Sequence, residues 1–357
     1  MIFEPIETHR LVLRPFQETD REQTIRLLRN EEISRTFMLP DFPDDDAAGK
    51  LFGRILKNSL SDAHFEIAIC LEDQVIGFLN DVEIADGTIE LGYVIHPDHW
   101  GRGYATESLT AVIWALFHMG YHRVCAGYFE YNLASGRVME KSGMHRIDKT
   151  EEIEYWGKTH QCLYYEIENP IRKLGEHIRY LPASRDPLSA EVYCIRGGKG
   201  VYLYDVGNNE QSLAFIRSIP NVMSAVLSHH HKDHTGNLPK TGIKNIYVGD
   251  FTRKEWNSGK AVTQERELEE GISIIPCPSV HTQGSLLLNV FREYCLIGDL
   301  FFCRKPVPMD QARQMLEALA RVDTQYFVSS HSGREGIYEK KTFLSELKRE
   351  FEKEEDQ

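Results

Sequence analysis

The stretch Ser228-His229-His230-His231-Lys232-Asp233-His234-Thr235-Gly236-Asn237 places four histidines and one aspartate in six consecutive positions. Imidazole and carboxylate are ordinary ligands of zinc, iron and manganese. The run lies inside the chain, after the apolar segment Met223-Ser224-Ala225-Val226-Leu227, so it is not a purification tag. On an extended segment alternate residues point the same way, which aims His229 and His231 at one ion and leaves His230 and Lys232 as spacing. Asp233 and His234 lie beyond the turn, where they can face a second ion. These residues alone do not close a coordination sphere. Three more suitable side chains follow: His281 in PSVHTQGS, Asp299 in YCLIGDLF and His331 in YFVSSHSG, each expected just past a strand.

A second informative stretch, IELGYVIHPDHWGRGYATESL, spans Ile89 to Leu109. A strand ending near Ile95, a loop with Gly101 and Gly103, and a helix from about Ala105 would bring backbone N–H groups and a positive helix end to a pyrophosphate. Further on, Asn132-Leu133-Ala134-Ser135 precedes Lys141-Ser142-Gly143-Met144. Asn132 suits a helix N-cap with or without a ligand.

These residues need elements to hold them. In the first half, a strand-like stretch Leu11–Phe16 precedes a helix starting near Thr19-Asp20. Strands are expected at Phe65–Cys70, Gln74–Asn80 and Ile89–Ile95, then an apolar helix from about Ala105 to Met119 that stops at Gly120. The segment 169–175, with Pro170 and Gly175, reads as a linker between domains 1–168 and 176–357. Beyond it strands are expected at Glu191–Ile195, Val201–Asp205, Met223–Leu227, Ser273–Ile275, Ser285–Val290 and Tyr294–Ile297, before a charged helix Lys340–Lys353. Two domains suit 357 residues, more than one core usually organises.

The first half resembles the GNAT-superfamily N-acetyltransferases, of the branch acting on ribosomal-protein N-termini and small amines. The resemblance rests on the glycine loop and on the Asn132–Met144 segment. It implies a mixed α/β sheet and acetyl-CoA as cofactor, with a small-molecule or peptide amine as acceptor. Trp100, Gly101, Arg102, Gly103, Tyr104, Ala105 and Thr106 would hold the pyrophosphate, together with Asn132 and Ser135. A backbone N–H at Val94 or Ile95 would polarise the thioester. Glu90 is either the general base or a solvated strand carboxylate. Where many members carry a general-acid Tyr, seven residues after the Asn, this chain has Met139, so Ser135, Tyr131 or water would serve. The acidic run Asp41–Asp46 either attracts a cationic amine or caps a helix.

The second half resembles the metallo-β-lactamase-fold hydrolases, an αββα sandwich of α+β class. The resemblance implies His229, His231 and His281 on one divalent ion, Asp233, His234 and His331 on another, and Asp299 between them. Asp233 is also placed in the catalytic set. Asp205, in Tyr204-Asp205-Val206-Gly207, would steady the ligands from behind. Two such ions about 3.5 to 4 Å apart lower the pKa of a bound water towards 7 and polarise a carbonyl or phosphoryl oxygen. Zinc suits the donor set, with iron and manganese as alternatives. A small ester, thioester or lactone is the expected substrate. Phosphodiester cleavage is the alternative there, and for the first half a module that senses acyl-CoA without turning it over.

A net charge of −13 argues against a nucleic-acid or anionic-membrane partner. The cysteines number seven, with no C-x-x-C pair, as expected of reduced thiols in a cytoplasmic setting. No secretory leader, apolar spanning run or internal repeat is read in the sequence, and the oligomeric state stays open.

Overall fold

Between Ile6 and Glu168 the chain builds one eight-stranded sheet: β1 (Ile6–Glu7), β2 (Val12–Arg14), β3 (Glu66–Leu71), β4 (Gln74–Ala85), β5 (Thr88–Ile95), β6 (Arg123–Phe129), β7 (His145–Tyr155) and β8 (Lys158–Glu168). This computed structural model describes residues 5–256, 258–302, 307–332 and 336–355. Its two units divide at Asn169 and Pro170. In the first sheet the order is β1-β2-β3-β4-β5-β6-β8-β7, and β5–β6 is the parallel pair. β4 outruns its expected end because Asp86-Gly87 forms a two-residue hairpin turn, with φ of +49° and +72°, that keeps it paired to β5 as far as Ala85↔Thr88.

Helices α1 (Arg21–Leu28), α2 (Glu31–Ser34) and α3 (Asp45–Ser59) precede β3; α4 (Tyr104–Met119) follows β5, and α5 (Leu133–Lys141) follows β6. Phe16, Leu28, Phe52, Phe78 and Val94 share the core under α1 and α3. α4 packs against β5 and β6 with Leu109, Val112, Ile113 and Leu116 fully buried. Gly120, at φ +103°, ends it in the left-handed conformation that lets the last carbonyls be capped. The acidic run before α3 caps: Asp44 accepts from the Ala47 N–H at 2.8 Å, and Asp45 pairs with Arg29.

In the second unit a seven-stranded sheet has the order β17-β16-β15-β14-β13-β10-β9. Its strands are β9 (Arg172–Leu174), β10 (Ile178–Leu181), β13 (Val192–Arg196), β14 (Val201–Tyr204), β15 (Val222–Val226), β16 (Ile246–Gly249) and β17 (Lys260–Val262), with the hairpin β11 (Ser184–Arg185) and β12 (Leu188–Ser189) apart from it. The expected linker 169–175 therefore contains an edge strand of this sheet, because Arg172, Lys173 and Leu174 pair with β10 and Leu174 is buried. A six-stranded sheet runs in chain order from β18 (Arg266–Glu269) through β19 (Ile272–Cys277), β20 (Ser285–Val290), β21 (Tyr294–Gly298) and β22 (Tyr326–Ser329) to β23 (Ile337–Glu339).

The two sheets face each other. Tyr204 and Val226 of one meet Leu286, Leu288, Leu296 and Val328 of the other in a single core. The opposite side of β20–β22, with Leu287, Ile297 and Phe327, is covered by α10 (Met309–Arg321) and α11 (Lys340–Glu355). β20 is buried along its whole length, which is why Leu286-Leu287-Leu288 stand in a row rather than alternating with exposed polar residues. α6 (Glu210–Arg217), α7 (Lys232–Thr235), α8 (Leu238–Thr241) and α9 (Asp250–Trp256) complete the unit.

Cys70, Cys125, Cys162, Cys194, Cys277 and Cys295 are free thiols; Cys303 lies outside the described residues. No helix among the described residues is long and apolar enough to cross a membrane.

Candidate functional sites

In the first unit the site grows from a divergence of two strands. β5 and β6 pair only from Thr88↔Arg123 to Glu90↔Cys125, yet β5 continues to Ile95 and β6 to Phe129. Beyond Glu90 the sheet is thus split, which frees backbone on the facing edges for a ligand. The split leads to the glycine loop. Gly101 and Gly103 have φ of +72° and +82°, a region costly for residues with a Cβ, and Gly103 passes directly into α4. Trp100, Arg102 and the first turn Tyr104-Ala105-Thr106 flank them.

Two contacts fix this loop. The Trp100 indole N–H donates to the Ile95 carbonyl at 2.6 Å, tying the loop to the end of its strand. Arg10 reaches the Arg102 carbonyl at 2.9 Å, pairs with Glu107 at 2.7 Å and lies over the Tyr104 ring at 4.5 Å. The sequence reading missed Arg10, which lies more than 90 residues before the loop it braces.

Glu90 and Tyr93 mark the two faces of β5. Glu90 lines a small open cavity with Glu83, Thr88, Cys125, Lys149 and Tyr164. Burial raises its carboxyl above the usual range, with Lys149 Nζ 3.9 Å away pulling the other way. Lys149 itself is held at 3.0 Å by Glu151 and lies over the Tyr164 ring. On the other face, the Tyr93 hydroxyl meets the Ser135 Oγ at 2.5 Å and the Ser135 carbonyl at 2.9 Å. Asn132 accepts from the Ser135 N–H at 3.3 Å and so acts as the N-cap of α5. Met139 is fully buried. The Tyr131 hydroxyl donates to the Arg35 carbonyl at 2.6 Å.

In the second unit all seven expected ligands collect in two groups: His229, His231 and His281, and Asp233, His234, Asp299 and His331. Within each group the ligating atoms lie within 4.8 Å of one another. Asp299 stands between the groups, its Oδ2 being 3.3 Å from His234 Nε2, 3.7 Å from His331 Nε2 and 3.8 Å from His281 Nε2. His230 points to Phe251, with ring centroids 5.3 Å apart. His229 and His231 fall in one group while His230 between them turns away. β15 stops at Val226, and His231, still in extended backbone, is the N-cap of the short helix α7, which carries Asp233 and His234.

The far side of each imidazole is secured. Asp205, at φ +59°, accepts from the Ser228 N–H and Oγ at 2.8 Å each and from His234 Nδ1 at 2.7 Å. With its one proton given to Asp205, the Ser228 hydroxyl accepts from His229 Nδ1 at 3.0 Å. His281 Nδ1 bonds the Phe302 carbonyl. These bonds leave the Nε2 lone pairs of His229, His234 and His281 turned inward. Glu191, fully buried, accepts the His331 N–H at 2.8 Å and holds a backbone at φ +60°. Ser228 and Glu191 were missed from sequence, since neither type signals a ligand support.

Several observations fit cations here. His229 Nε2, His234 Nε2 and Asp299 Oδ1 are buried without a hydrogen-bond partner among the described residues, which is costly unless something else binds them. His231 Nδ1 and His281 Nε2 lie 3.0 Å apart, close enough to serve one ion together. Burial, reinforced by the surrounding imidazoles, holds His229 neutral and free to ligate.

Comparison with known proteins adds to this geometry on one side. The model of the acetyltransferase (GNAT) domain matches residues 10–145. A probable N-acetyltransferase of Bacillus subtilis, YjcK, is 29% identical over 173 residues, covering 45% of this chain and 94% of its own length. An uncharacterized N-acetyltransferase of the same organism, YnaD, is 30% identical over 144 residues, covering 40% and 82%. The solved structure of RimL, a ribosomal L7/L12 alpha-N-protein acetyltransferase in complex with coenzyme A, covers 46% of this chain and 98% of its own at 18% identity, with a TM-score of 0.44.

Proposed function

This chain belongs to the acetyltransferase (GNAT) family, and from that premise we propose a protein of two activities: acetyl-CoA-dependent N-acetylation in the first unit and metal-dependent hydrolysis in the second. The split between β5 and β6, opening onto the glycine loop, carries the first reading. Trp100 to Thr106 hold the pyrophosphate at the start of α4, with Arg10 bracing the loop. A backbone N–H at Val94 or Ile95 meets the thioester carbonyl, and Glu90 takes a proton from the acceptor amine. The acceptor is a small molecule or a peptide with a free amine.

The convergence of seven ligand side chains carries the second reading, that of a metallo-β-lactamase-type hydrolase. His229, His231 and His281 would hold one divalent ion, Asp233, His234 and His331 the other, and Asp299 would serve both, zinc being the best match to the donors. Bound there, such ions supply Lewis acidity and a water of lowered pKa. The chain's own part is to orient the donors through Asp205, Ser228 and Glu191 and to keep His229 neutral. A small ester, thioester or lactone is the proposed substrate class, in a cytoplasmic setting.

Calorimetric titration with acetyl-CoA tests the first reading, and absence of binding sinks it. Metal analysis after purification without chelator tests the second, with about two ions per chain expected. A screen of thioesters, lactones and phosphodiesters with the zinc- or manganese-loaded protein then identifies the bond cleaved. The buried Met139 at the family's general-acid position favours a second reading of the first unit, as an acyl-CoA sensor. Binding without turnover over an amine panel would select it.

A further inference from the structure

Acetyl transfer makes two demands on proton chemistry, and β5 presents groups for both. Val94 packs in the core under α1 and α3, so Glu90, four residues earlier on the same strand, lies on that face. Tyr93 has the opposite parity and reaches Ser135 on α5. Between them runs the opening where β5 and β6 part company. A thioester lying in that opening has a carboxylate on one side and a hydrogen-bonded hydroxyl pair on the other.

We propose that Tyr93, supported by Ser135, is the general acid of the transfer, supplying from β5 the proton that Met139 on α5 cannot. The inference rests on the acetyltransferase reading above and assigns a residue that reading leaves open. The amine nitrogen bonds to the acetyl carbon and gives its proton to Glu90. The carbon–sulfur bond breaks, its electron pair stays on sulfur, and sulfur takes the Tyr93 hydroxyl proton. Solvent water then reprotonates Tyr93 and accepts the proton held by Glu90. Burial raises the Tyr93 pKa, against the pull of the Ser135 hydrogen bond, so the hydroxyl is protonated at neutral pH and stands as a donor. At rest the same hydroxyl donates to the Ser135 carbonyl at 2.9 Å, and Ser135 Oγ at 2.5 Å is placed to donate back as the proton leaves.

Calorimetry with CoA and with desulfo-CoA, which lacks the thiol, tests the contact without requiring the acceptor. Wild-type protein is expected to prefer CoA by about fivefold, the scale of one net hydrogen bond. Tyr93→Phe should bring the two affinities together, and Ser135→Ala should reduce the preference. Equal affinities in the wild type, or an undiminished preference in Tyr93→Phe, would overturn the proposal. If Tyr93→Phe does not fold, the wild-type ratio and Ser135→Ala decide it. Loss of binding to both nucleotides in the wild type would remove the acetyltransferase reading and this inference together.

Discussion

The cleft of the first unit is made mostly of backbone, whereas the cluster of the second is made of side chains. In the first, two strands stop pairing after Glu90↔Cys125 and two glycines at positive φ turn the chain into α4. In the second, ordinary sheet ends carry five imidazoles and two carboxylates to one place. A backbone site tolerates many side-chain choices but few changes of conformation. A ligand cluster has the reverse sensitivity. Substitutions chosen by that rule should separate the two.

The largest effect is expected in the second unit. Asp233→Ala or His281→Ala should lower the metal content measured by plasma emission from about two ions per chain to about one or fewer. Hydrolysis of whichever substrate the screen identifies should fall at least about 100-fold, since even changes behind a ligand cost 10- to 100-fold. Acetyl-CoA affinity should not move. Retention of two ions in both variants would mean that the cluster is not a ligand set.

This contrast also explains what was legible in the sequence. His229, His231, Asp233, His234, His281, Asp299 and His331 announce themselves by type, while their sorting into two sets was implied by the family resemblance. Their supports do not announce themselves: Ser228 and Glu191 are common residue types whose role depends on where the sheets place them. In the first unit the glycine loop was readable because Gly101 and Gly103 imply a tight turn before a helix. Arg10 and Tyr93 were not, since one acts across more than 90 residues and the other through strand parity. The edge strand Arg172–Leu174 was hidden because three residues beside a proline carry too little pattern to register.

Next in size is Glu90→Gln, which should lower kcat for acetyl transfer by about 100-fold, the usual scale for a general base. The base works deprotonated. Because burial raises the Glu90 pKa above the ordinary 4.5, wild-type activity should fail on acidification at a higher pH than a solvated carboxylate would give. A pH–rate profile whose acidic limb survives unchanged in Glu90→Gln would assign that limb elsewhere and leave Glu90 as a strand carboxylate.

Backbone substitutions sharpen the comparison further. Gly103→Ala forces a Cβ into φ +82°, a strain of about 1–2 kcal/mol, while the nearest atom, on Arg10, is at an ordinary 3.5 Å. Acetyl-CoA affinity by calorimetry should drop about 5- to 30-fold. Gly120→Ala puts the same kind of strain at the far end of α4, at φ +103° with open space around it. It should lower the melting temperature and spare affinity. Equal loss of affinity in both would mean that the loop acts through overall stability.

The smallest effect tests whether a buried polar atom without a partner marks a ligand site or merely costs stability. In the second unit three such atoms, on His229, His234 and Asp299, point into one cluster. In the first, Glu66 Oε2 on β3 is two strands from the cleft, and its other oxygen accepts from Asn58 at 3.2 Å. Burial raises the Glu66 pKa to about 7 from the ordinary 4.5. A carboxyl whose folded pKa is raised favours the folded state when protonated, so its penalty is absent below pH 4.5, grows as pH rises and is complete above 7. Glu66→Gln should therefore stabilise the first unit at pH 8 by on the order of 1 kcal/mol, reduced by its partial exposure to solvent, and change little at pH 4. Asp299→Asn should act oppositely, giving no gain in stability and a loss of bound metal. A stabilised Asp299→Asn with unchanged metal content would place Asp299 in the same class as Glu66, a buried charge with no ligand to hold.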